Sequence, residues 1–200
     1  MYTEDHDGWL LPTRVPYPQY WNGVVTLRPW YELLGNYGKA YGYRYASLDY
    51  GVYIAAPGSS AWSWTKGKNL ICPSERRNFT YTHYHINLWL VGTYTTQGSG
   101  YIPDPTYGSY LKKINQIRNP SVAVWVCDGA VYNQHSITYL YYKDPNGYNC
   151  FKHINEFCNF LYVDGHVEPK RPIDFGIPIG GNSSAPLRRG FVLPGGGYNP

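Results

Sequence analysis

One short segment, residues 159–168, constrains the fold of this chain more than any other. Apolar and aromatic side chains dominate Asn159 to Val163, Asp164-Gly165 follows, and His166 to Glu168 continue as a second extended run. An Asp-Gly pair between two such runs is the strongest short-range signal for a β-hairpin, because both residues tolerate positive φ. We therefore predict a two-residue type I′ turn at Asp164-Gly165 and an antiparallel pair of strands around it.

Proline and glycine interrupt the rest of the chain. The 200 residues include 16 Pro and 22 Gly, and both residue types weaken helix interiors. We therefore expect short elements and frequent turns. Helical spacing of apolar residues is evident over Leu27 to Tyr37, and a second short helix is expected over Ser109 to Arg118.

Three further segments are predicted to be strands. Residues 83–90 alternate polar and apolar side chains, which is typical of a half-buried strand with one face in the core and the other either wet or covered. Ser121 to Cys127 are nearly all apolar, as in a central strand that is covered on both faces. A Tyr-rich strand is expected over Ile137 to Lys143, ended by a turn at Asp144-Pro145-Asn146-Gly147.

The length favours a single domain, which we place at residues 1–170. The last 30 residues, from Arg171 onward, carry 7 Gly and 5 Pro. Such a composition supports few ladder hydrogen bonds. We therefore expect a Gly/Pro-rich C-terminal arm over residues 171–200.

Charge and hydropathy exclude several classes of partner. The formal net charge is +4 and no Lys/Arg run exceeds a pair, which falls short of what a nucleic-acid surface needs. The longest apolar stretch, Val122 to Cys127, is far too short to span a bilayer. A low charged fraction of 15%, paired cysteines and two glycosylation-type triplets, Asn78-Phe79-Thr80 and Asn182-Ser183-Ser184, favour an extracytoplasmic location, at the cell surface or in the periplasm.

The four cysteines are disulfide candidates, because their number is even and none stands in a C-x-x-C pair. Cys150 and Cys158 could close a short loop. Cys72 and Cys127 would then form the second bridge, although the sequence leaves all three connectivities open.

Metal and catalytic motifs are weak. His153 and His166, with Asp164 or Asp128, could supply nitrogen and oxygen ligands, but no recognised ligand spacing is present, and we expect structural or surface histidines. A metal-dependent hydrolase built on His153, Asp164 and His166 is therefore the least favoured hypothesis. The chain also lacks a G-x-S-x-G nucleophile motif, so no catalysis is predicted.

Calcium is a second ion for which the sequence offers candidate ligands. Asp5 and Asp7 precede Gly8 in a short acidic stretch that is similar to the start of a calcium loop. The stretch lacks the later oxygen ligands and the closing Glu. We expect a solvated turn there.

Exposed aromatic side chains offer an alternative function. Aromatic residues make up 18% of the chain, and Trp62 and Trp64 fall on the same side of an extended segment. With Trp89 they could stack on sugar rings in an extracellular glycan-binding β-rich module. Filling of the core or packing between subunits would use the same residues.

A resemblance to a known family is carried by four blocks of sequence. Residues 152–168, KHINEFCNFLYVDGHVE, resemble the C-terminal signature of the prepilin-type, H-x(9)-D-G family of bacterial pseudopilin-like proteins. In that signature His153, Asn159, Asp164, Gly165 and His166 take the motif positions. Three further blocks resemble the family in the same order: residues 1–12 (MYTEDHDGWLLP), 70–75 (LICPSE) and 114–129 (INQIRNPSVAVWVCDG).

The resemblance implies an α+β fold: a type IV pilin-like globular head with an antiparallel β-sheet, short helices and long Gly/Pro-rich loops. It implies a non-catalytic structural subunit of a type II secretion or type IV pilus-like system. Other pilin-like subunits would be its partners, and the family's apolar N-terminal helix would anchor it in the membrane.

Two departures from the family are visible in the sequence. Ten residues, not nine, separate His153 from Asp164. The apolar helix is absent from these 200 residues, so we expect either that Met1 is an internal methionine of a longer product or that the chain is the head alone.

Overall fold

The computed structural model describes residues 2–18, 25–30, 34, 72–74, 82–97, 100–103, 112–129 and 136–191, and these form an α+β fold. Within these ranges the α-helices are α1 (Tyr2–Asp5) and α2 (Leu88–Val91), and single 3-10 turns occupy Ile114–Gln116, Ile154–Glu156, Pro172–Phe175 and Ala185–Arg188. The strands are β1 (Arg14–Pro18), β2 (Val25–Pro29), β3 (Tyr84–Asn87), β4 (Tyr94–Gln97), β5 (Gly100–Pro103), β6 (Val124–Asp128), β7 (Ser136–Ile137), β8 (Leu140–Tyr141), β9 (Cys158–Tyr162), β10 (Val167–Lys170) and β11 (Asn182–Ser183).

The main sheet has five strands in the order β10-β9-β6-β3-β7. Its neighbours are antiparallel except β3 and β7, which run parallel. The apolar strand β6 lies in the middle, which confirms the central strand predicted from its composition. Three two-stranded pairs accompany the sheet: β1 with β2, β4 with β5, and β8 with β11.

The core consists of two clusters of buried side chains, and β6 contributes to both because successive strand residues point to opposite faces. Val126 packs against the first cluster, which includes Ile86 and Phe191. Cys127 belongs to the second, which includes Phe160 and Leu187. The sheet is therefore covered by apolar side chains on both faces.

The hairpin of β9 and β10 is confirmed, with Leu161 opposite Val167. The predicted type I′ turn is wrong, because only Gly165 has a positive φ, of 93°, and Asp164 does not. The Gly165 N–H donates to the carbonyl of Tyr162 at 3.0 Å, and the Tyr162 N–H donates to that of His166 at 3.0 Å. This pattern is a three-residue loop with a type I turn and a glycine bulge.

The strand predicted over residues 83–90 is half right. β3 ends at Asn87, whose side-chain oxygen accepts the Trp89 N–H at 3.1 Å and starts the helical turn α2. Of the two alternatives for the polar face, wet or covered, the structure has the covered one, because His85 and Asn87 are fully buried. Asn87 stops the strand because its side chain caps a helix better than it continues a ladder.

The other predicted elements are either described only in part or shorter than expected. Within the predicted helix over Leu27 to Tyr37, residues 27–29 belong to β2, and most of the remainder lies outside the described residues. The predicted helix over Ser109 to Arg118 is a single 3-10 turn in its described part. The strand predicted over Ile137 to Lys143 is split into β7 and β8, and the Asp144–Gly147 turn is confirmed by a 2.8 Å hydrogen bond.

The predicted C-terminal arm is described as far as residue 191 and packs into the core. Leu187 and Phe191 are both fully buried, and β11 pairs with β8. Regular ladder hydrogen bonds are few in this segment, as expected from its proline and glycine content. No described helix has the length and apolar character needed to span a bilayer.

Candidate functional site

Three segments that are distant in sequence meet where β6 ends. Asp128 is the last residue of β6, and the register Cys127↔Phe160 places Asn159 of β9 beside it. His153 precedes the 3-10 turn that leads into β9. Residues 72–74 approach from the other side and bring Cys72 and Ser74 to the same place.

His153 lies at the centre of this cluster. Its Nε2 is 3.0 Å from Asp128 Oδ2, 2.9 Å from the side-chain nitrogen of Asn159 and 3.7 Å from Cys72 Sγ. Its Nδ1 is 3.0 Å from Ser74 Oγ. One imidazole therefore connects the central strand, the hairpin and the segment at residues 72–74.

The Asp128 carboxylate is completely buried. Its Oδ2 accepts the backbone N–H of Asn159 at 2.6 Å and contacts His153. Its Oδ1 has no hydrogen-bond partner among the described residues. A buried carboxylate oxygen without a partner costs free energy.

Gly129 follows Asp128 because its neighbours leave no room for a side chain. A Cβ at this position would lie 2.5 Å from the ring of His85. The Gly129 N–H donates to the carbonyl of His83 at 2.7 Å, and His83 Nδ1 accepts the backbone N–H of Cys72 at 2.9 Å. The Asp-Gly pair thus sits where close packing holds the segment of Cys72 against the sheet.

The ten-residue spacing between His153 and Asp164 includes a tight turn. Asn155 and Glu156 both have a φ of 61°, in the left-handed region. Glu156 is held by the Tyr142 hydroxyl, which donates at 2.6 Å, and by Lys143 Nζ. The hydrogen bond from Lys143 is the main reason that the pKa of Glu156 is lowered.

Tyr84 borders the cluster, since it lies opposite Asp128 in the pairing of β3 with β6. Burial, and to a smaller extent the negative charges of Cys72 and Asp128, raise the pKa of its hydroxyl to about 12. Tyr84 therefore stays neutral across the physiological range and adds no charge to the cluster.

The structure brings only part of the sequence motif together. His153 and Asn159 meet, whereas Asp164 and His166 hydrogen-bond to each other at 2.6 Å. The His166 ring also stacks on Tyr162, with centroids 4.3 Å apart. Accordingly, His153, Asp164 and His166 do not form one group of metal ligands.

The cysteines form no disulfide in the structure, and neither predicted bridge is present. Cys72 lies beside His153 instead of Cys127. The thiol of Cys158 is within hydrogen-bonding reach of Cys127. Burial raises the pKa of Cys150 and of Cys158 well above the ordinary value for a thiol.

The calcium candidates lie far from this arrangement in the chain. Asp7 pairs with Lys113 at 2.5 Å, and Asp5 ends α1. Within the described part of the chain, the potential metal ligands that cluster in a group of three are Cys72, Asp128 and His153. Calcium at Asp5 and Asp7 stays a prediction.

Trp89 is engaged within the protein. Its indole N–H donates to the carbonyl of Thr138 at 3.0 Å, and the guanidinium of Arg188 lies 4.7 Å from its ring centroid. A sugar would have to displace Arg188 to stack on that face. Trp62 and Trp64 lie outside the described residues.

Asp128 was named as a possible ligand and Cys72 as a disulfide candidate, but their contacts with His153 and the place of Ser74 beside it were not predicted. Each lies in a block that carries the family resemblance, namely Cys-Pro-Ser and Asp-Gly. The signal was therefore present as a motif, but no local pattern could show that the two blocks meet at His153. Tertiary contact alone reveals it.

The contacts of His153 limit the chemistry of the cluster. Cys72 and Asp128 approach the same ring nitrogen, whereas a Cys–His–Asp triad uses both nitrogens. Ser74 and Asp128 do contact opposite nitrogens, but the two nitrogens are exchanged relative to a serine hydrolase, in which Ser contacts Nε2 and Asp contacts Nδ1.

Comparison with protein-family models, with curated proteins and with solved structures finds no match for this chain. Its function is argued from its own residues.

Proposed function

We propose that this chain is the globular head of a pseudopilin-like structural subunit of a type II secretion or type IV pilus-like system. In this role it is exported, performs no catalysis and has a type IV pilin-like fold. It assembles with other pilin-like subunits through an apolar N-terminal helix that is encoded upstream of Met1, and the same helix anchors it in the membrane.

The observation that carries the proposal is that each of the four blocks of the family resemblance contacts at least one other block. The Ile114 N–H donates to the carbonyl of Gly8 at 2.8 Å, which joins the first block to the third. Asp128 joins the third block to the last through His153. Ser74 joins the second block to the last.

These contacts matter because neighbouring blocks (residues 1–12, 70–75, 114–129 and 152–168) are separated by up to 57 residues of unrelated sequence. Four chance similarities need not touch in the folded chain. Four segments inherited with a common fold would do so. The motif residues His153 and Asn159 then hold separate segments of the head together through hydrogen bonds.

The proposal is tested by expressing the complete native reading frame with a prepilin peptidase. We expect peptidase-dependent removal of a short leader and a mature product in the membrane fraction. The matched control omits the peptidase and should keep the longer, unprocessed form. A product that is never processed and stays in the soluble fraction would contradict the proposal.

Absence of catalysis has its own test, because Ser74 and Asp128 contact opposite nitrogens of His153. We expect hydrolysis of an activated ester at the rate of a Ser74→Ala variant, that is, at background. A rate that falls at least 100-fold on Ser74→Ala would identify a hydrolase instead.

A further inference from the structure

We propose that Cys72, Asp128 and His153 bind a divalent transition-metal ion, and that this ion is Zn²⁺. One ligand atom of each residue lies within 4.8 Å of the other two. The inference does not rest on the proposed function, because an ion at this position would stabilise the fold in any role.

Three polar atoms crowd around Nε2 of His153. His153 Nε2 has a carboxylate oxygen at 3.0 Å, an amide nitrogen at 2.9 Å and a sulfur at 3.7 Å. A ring nitrogen offers one N–H or one lone pair in a single direction, so it serves one strong hydrogen bond. A cation between these groups interacts favourably with the ring nitrogen, the carboxylate and the sulfur at once.

The buried carboxylate of Asp128 also favours a bound cation. Its side chain is fully buried, and Oδ1 lacks a hydrogen-bond partner among the described residues. Buried charges in proteins are paired or coordinate metals. An ion held by this carboxylate compensates the negative charge of Asp128, which is unfavourable in the low dielectric of the protein interior.

The separations between the ligand atoms are close to those of a tetrahedral zinc site. Zn–S and Zn–N bonds of about 2.3 Å and 2.0–2.1 Å at the tetrahedral angle place the two ligand atoms about 3.5 Å apart. The separation between Cys72 Sγ and His153 Nε2 is 3.7 Å. His153 and Asp128 are slightly closer than two zinc ligands would be, so the ring must move by a few tenths of an ångström.

The chemistry of the ligand set selects zinc over calcium or magnesium. A thiolate, an imidazole and a carboxylate are ordinary zinc ligands, whereas hard cations prefer oxygen donors. The thiolate of Cys72 and the carboxylate of Asp128 together carry two negative charges, which balance the charge of the ion. A neutral centre is compatible with a buried position.

Neighbouring groups hold the ligands in place, as in established metal sites. Ser74 Oγ can accept the Nδ1–H of His153, which leaves the Nε2 lone pair directed at the cluster. The Asn159 N–H fixes the orientation of the carboxylate of Asp128. Turned over, the side-chain amide of Asn159 would offer its oxygen as a fourth ligand.

An entry path also exists. The His153 side chain is 22% exposed and Ser74 is exposed, whereas Cys72 and Asp128 are fully buried behind them. An ion can therefore reach the cluster from the side of residues 72–74 without unfolding of the sheet.

The test uses the full 200-residue chain, stripped with a chelator and then titrated with Zn²⁺ and, in parallel, with Co²⁺. We expect one Zn²⁺ per chain by elemental analysis and a thiolate-to-cobalt charge-transfer band in the near ultraviolet. Saturation at about 100 times the dissociation constant should raise Tm by about 5–10 °C.

Variants locate the site. Cys72→Ser should abolish the charge-transfer band, and His153→Gln should weaken Zn²⁺ binding at least 10-fold. The matched controls, Cys150→Ser and His166→Gln, remove a thiol and an imidazole outside the cluster and should leave both signals unchanged. Circular dichroism of each variant verifies folding, and the wild-type stoichiometry stands independently of all variants.

Two results would overturn the proposal. One is a wild-type chain that holds less than about 0.1 Zn²⁺ after titration and shows no cobalt band. The other is a band that survives Cys72→Ser and disappears in Cys150→Ser, which would assign the metal to other thiols. Either result leaves the pseudopilin proposal untouched, because that proposal is tested through processing of the N-terminus.

Discussion

Lys112 is a half-buried residue whose Nζ is buried and has no hydrogen-bond partner within the described part of the chain. It lies 5.2 Å from the ring centroid of Phe191. Burial lowers the pKa of its amine to about 8, compared with 10.5 in the unfolded chain. Folding therefore destabilises the protonated form of this side chain relative to the neutral form.

This pKa predicts an alkaline increase in stability. The unfolded chain binds more protons than the folded chain above about pH 8, so the free energy of unfolding rises from there to pH 10. Above pH 10 the raised pKa values of Tyr84 and Tyr162, both about 12, act in the opposite direction.

Lys112→Met should remove that rise and increase the free energy of unfolding at pH 7 by about 1–3 kcal/mol. Urea denaturation at pH 7, 8, 9 and 10 measures both effects. Lys113→Met, at the adjacent exposed ion pair with Asp7, is the control and should retain the slope. A slope that persists in Lys112→Met would show that another group causes it.

The buried cysteines give a second prediction for single residues. Because burial raises the pKa of Cys150 and Cys158, few thiolates form at pH 8 in the folded chain. We expect both to react with a thiol reagent at least about 100-fold more slowly than the exposed thiol of a Ser121→Cys variant.

Unfolding in urea without a reductant provides the check on the thiol state. Four reactive thiols per chain should appear, since the structure contains no disulfide. Two would mean that one bridge has formed.

At the scale of elements, Asn87 connects four of them. Its Nδ2 donates to the carbonyls of Val124 and Leu187 at 2.8 and 2.7 Å, and its oxygen caps α2. The side chain is fully buried, so each lost bond leaves an unsatisfied group. This residue fixes where β3 ends and where the C-terminal segment packs.

Asn87→Ala should therefore lower the free energy of unfolding by about 2–4 kcal/mol. Asn87→Asp keeps the capping oxygen but places a carboxylate against two carbonyls, and it should lower the stability at least as much. Asn115→Ala, at an exposed position, should change it by less than about 0.5 kcal/mol. If Asn87→Asp matched the wild type, the two carbonyl contacts would carry no stability.

The elements also show how far the sequence predicts this fold. Asp164-Gly165 and Asp144–Gly147 are turns because their residue types decide the backbone within four positions, and both turns were predicted. The strand over residues 83–90 was predicted too long because Asn87 finds its partners 37 and 100 residues away. Periodicity carries no information about such partners.

In the candidate site, too, residues that are close in sequence were predicted and distant partners were not. His153 and Asn159 are six residues apart and were singled out by the family motif, whereas Asp128 and Cys72 are 25 and 81 residues from His153. The pairing of β6 with β9 brings Asp128 to the site. No local pattern in the sequence specifies that pairing.

At the scale of the whole molecule, the segment after residue 170 completes the core. Leu187 and Phe191 contribute to different clusters of buried side chains, one on each face of the sheet. Both are fully buried. The globular unit therefore extends at least to residue 191.

Truncation after residue 170 should abolish cooperative unfolding, because both clusters lose a buried side chain. Phe191→Ala alone should lower the free energy of unfolding by about 3–5 kcal/mol. Ile179→Ala, at a side chain that is 74% exposed, should cost less than about 1 kcal/mol. A truncated chain with an unchanged thermal transition would restore the domain boundary at residue 170.

The DNA upstream of the Met1 codon in its native context is the best test of whether this chain is the head of a pilin-like subunit. We expect an in-frame sequence that encodes a short basic leader and about 20 apolar residues, with a Glu near their start. An in-frame stop codon directly upstream of Met1 would contradict it, because the chain would then have no helix with which to assemble.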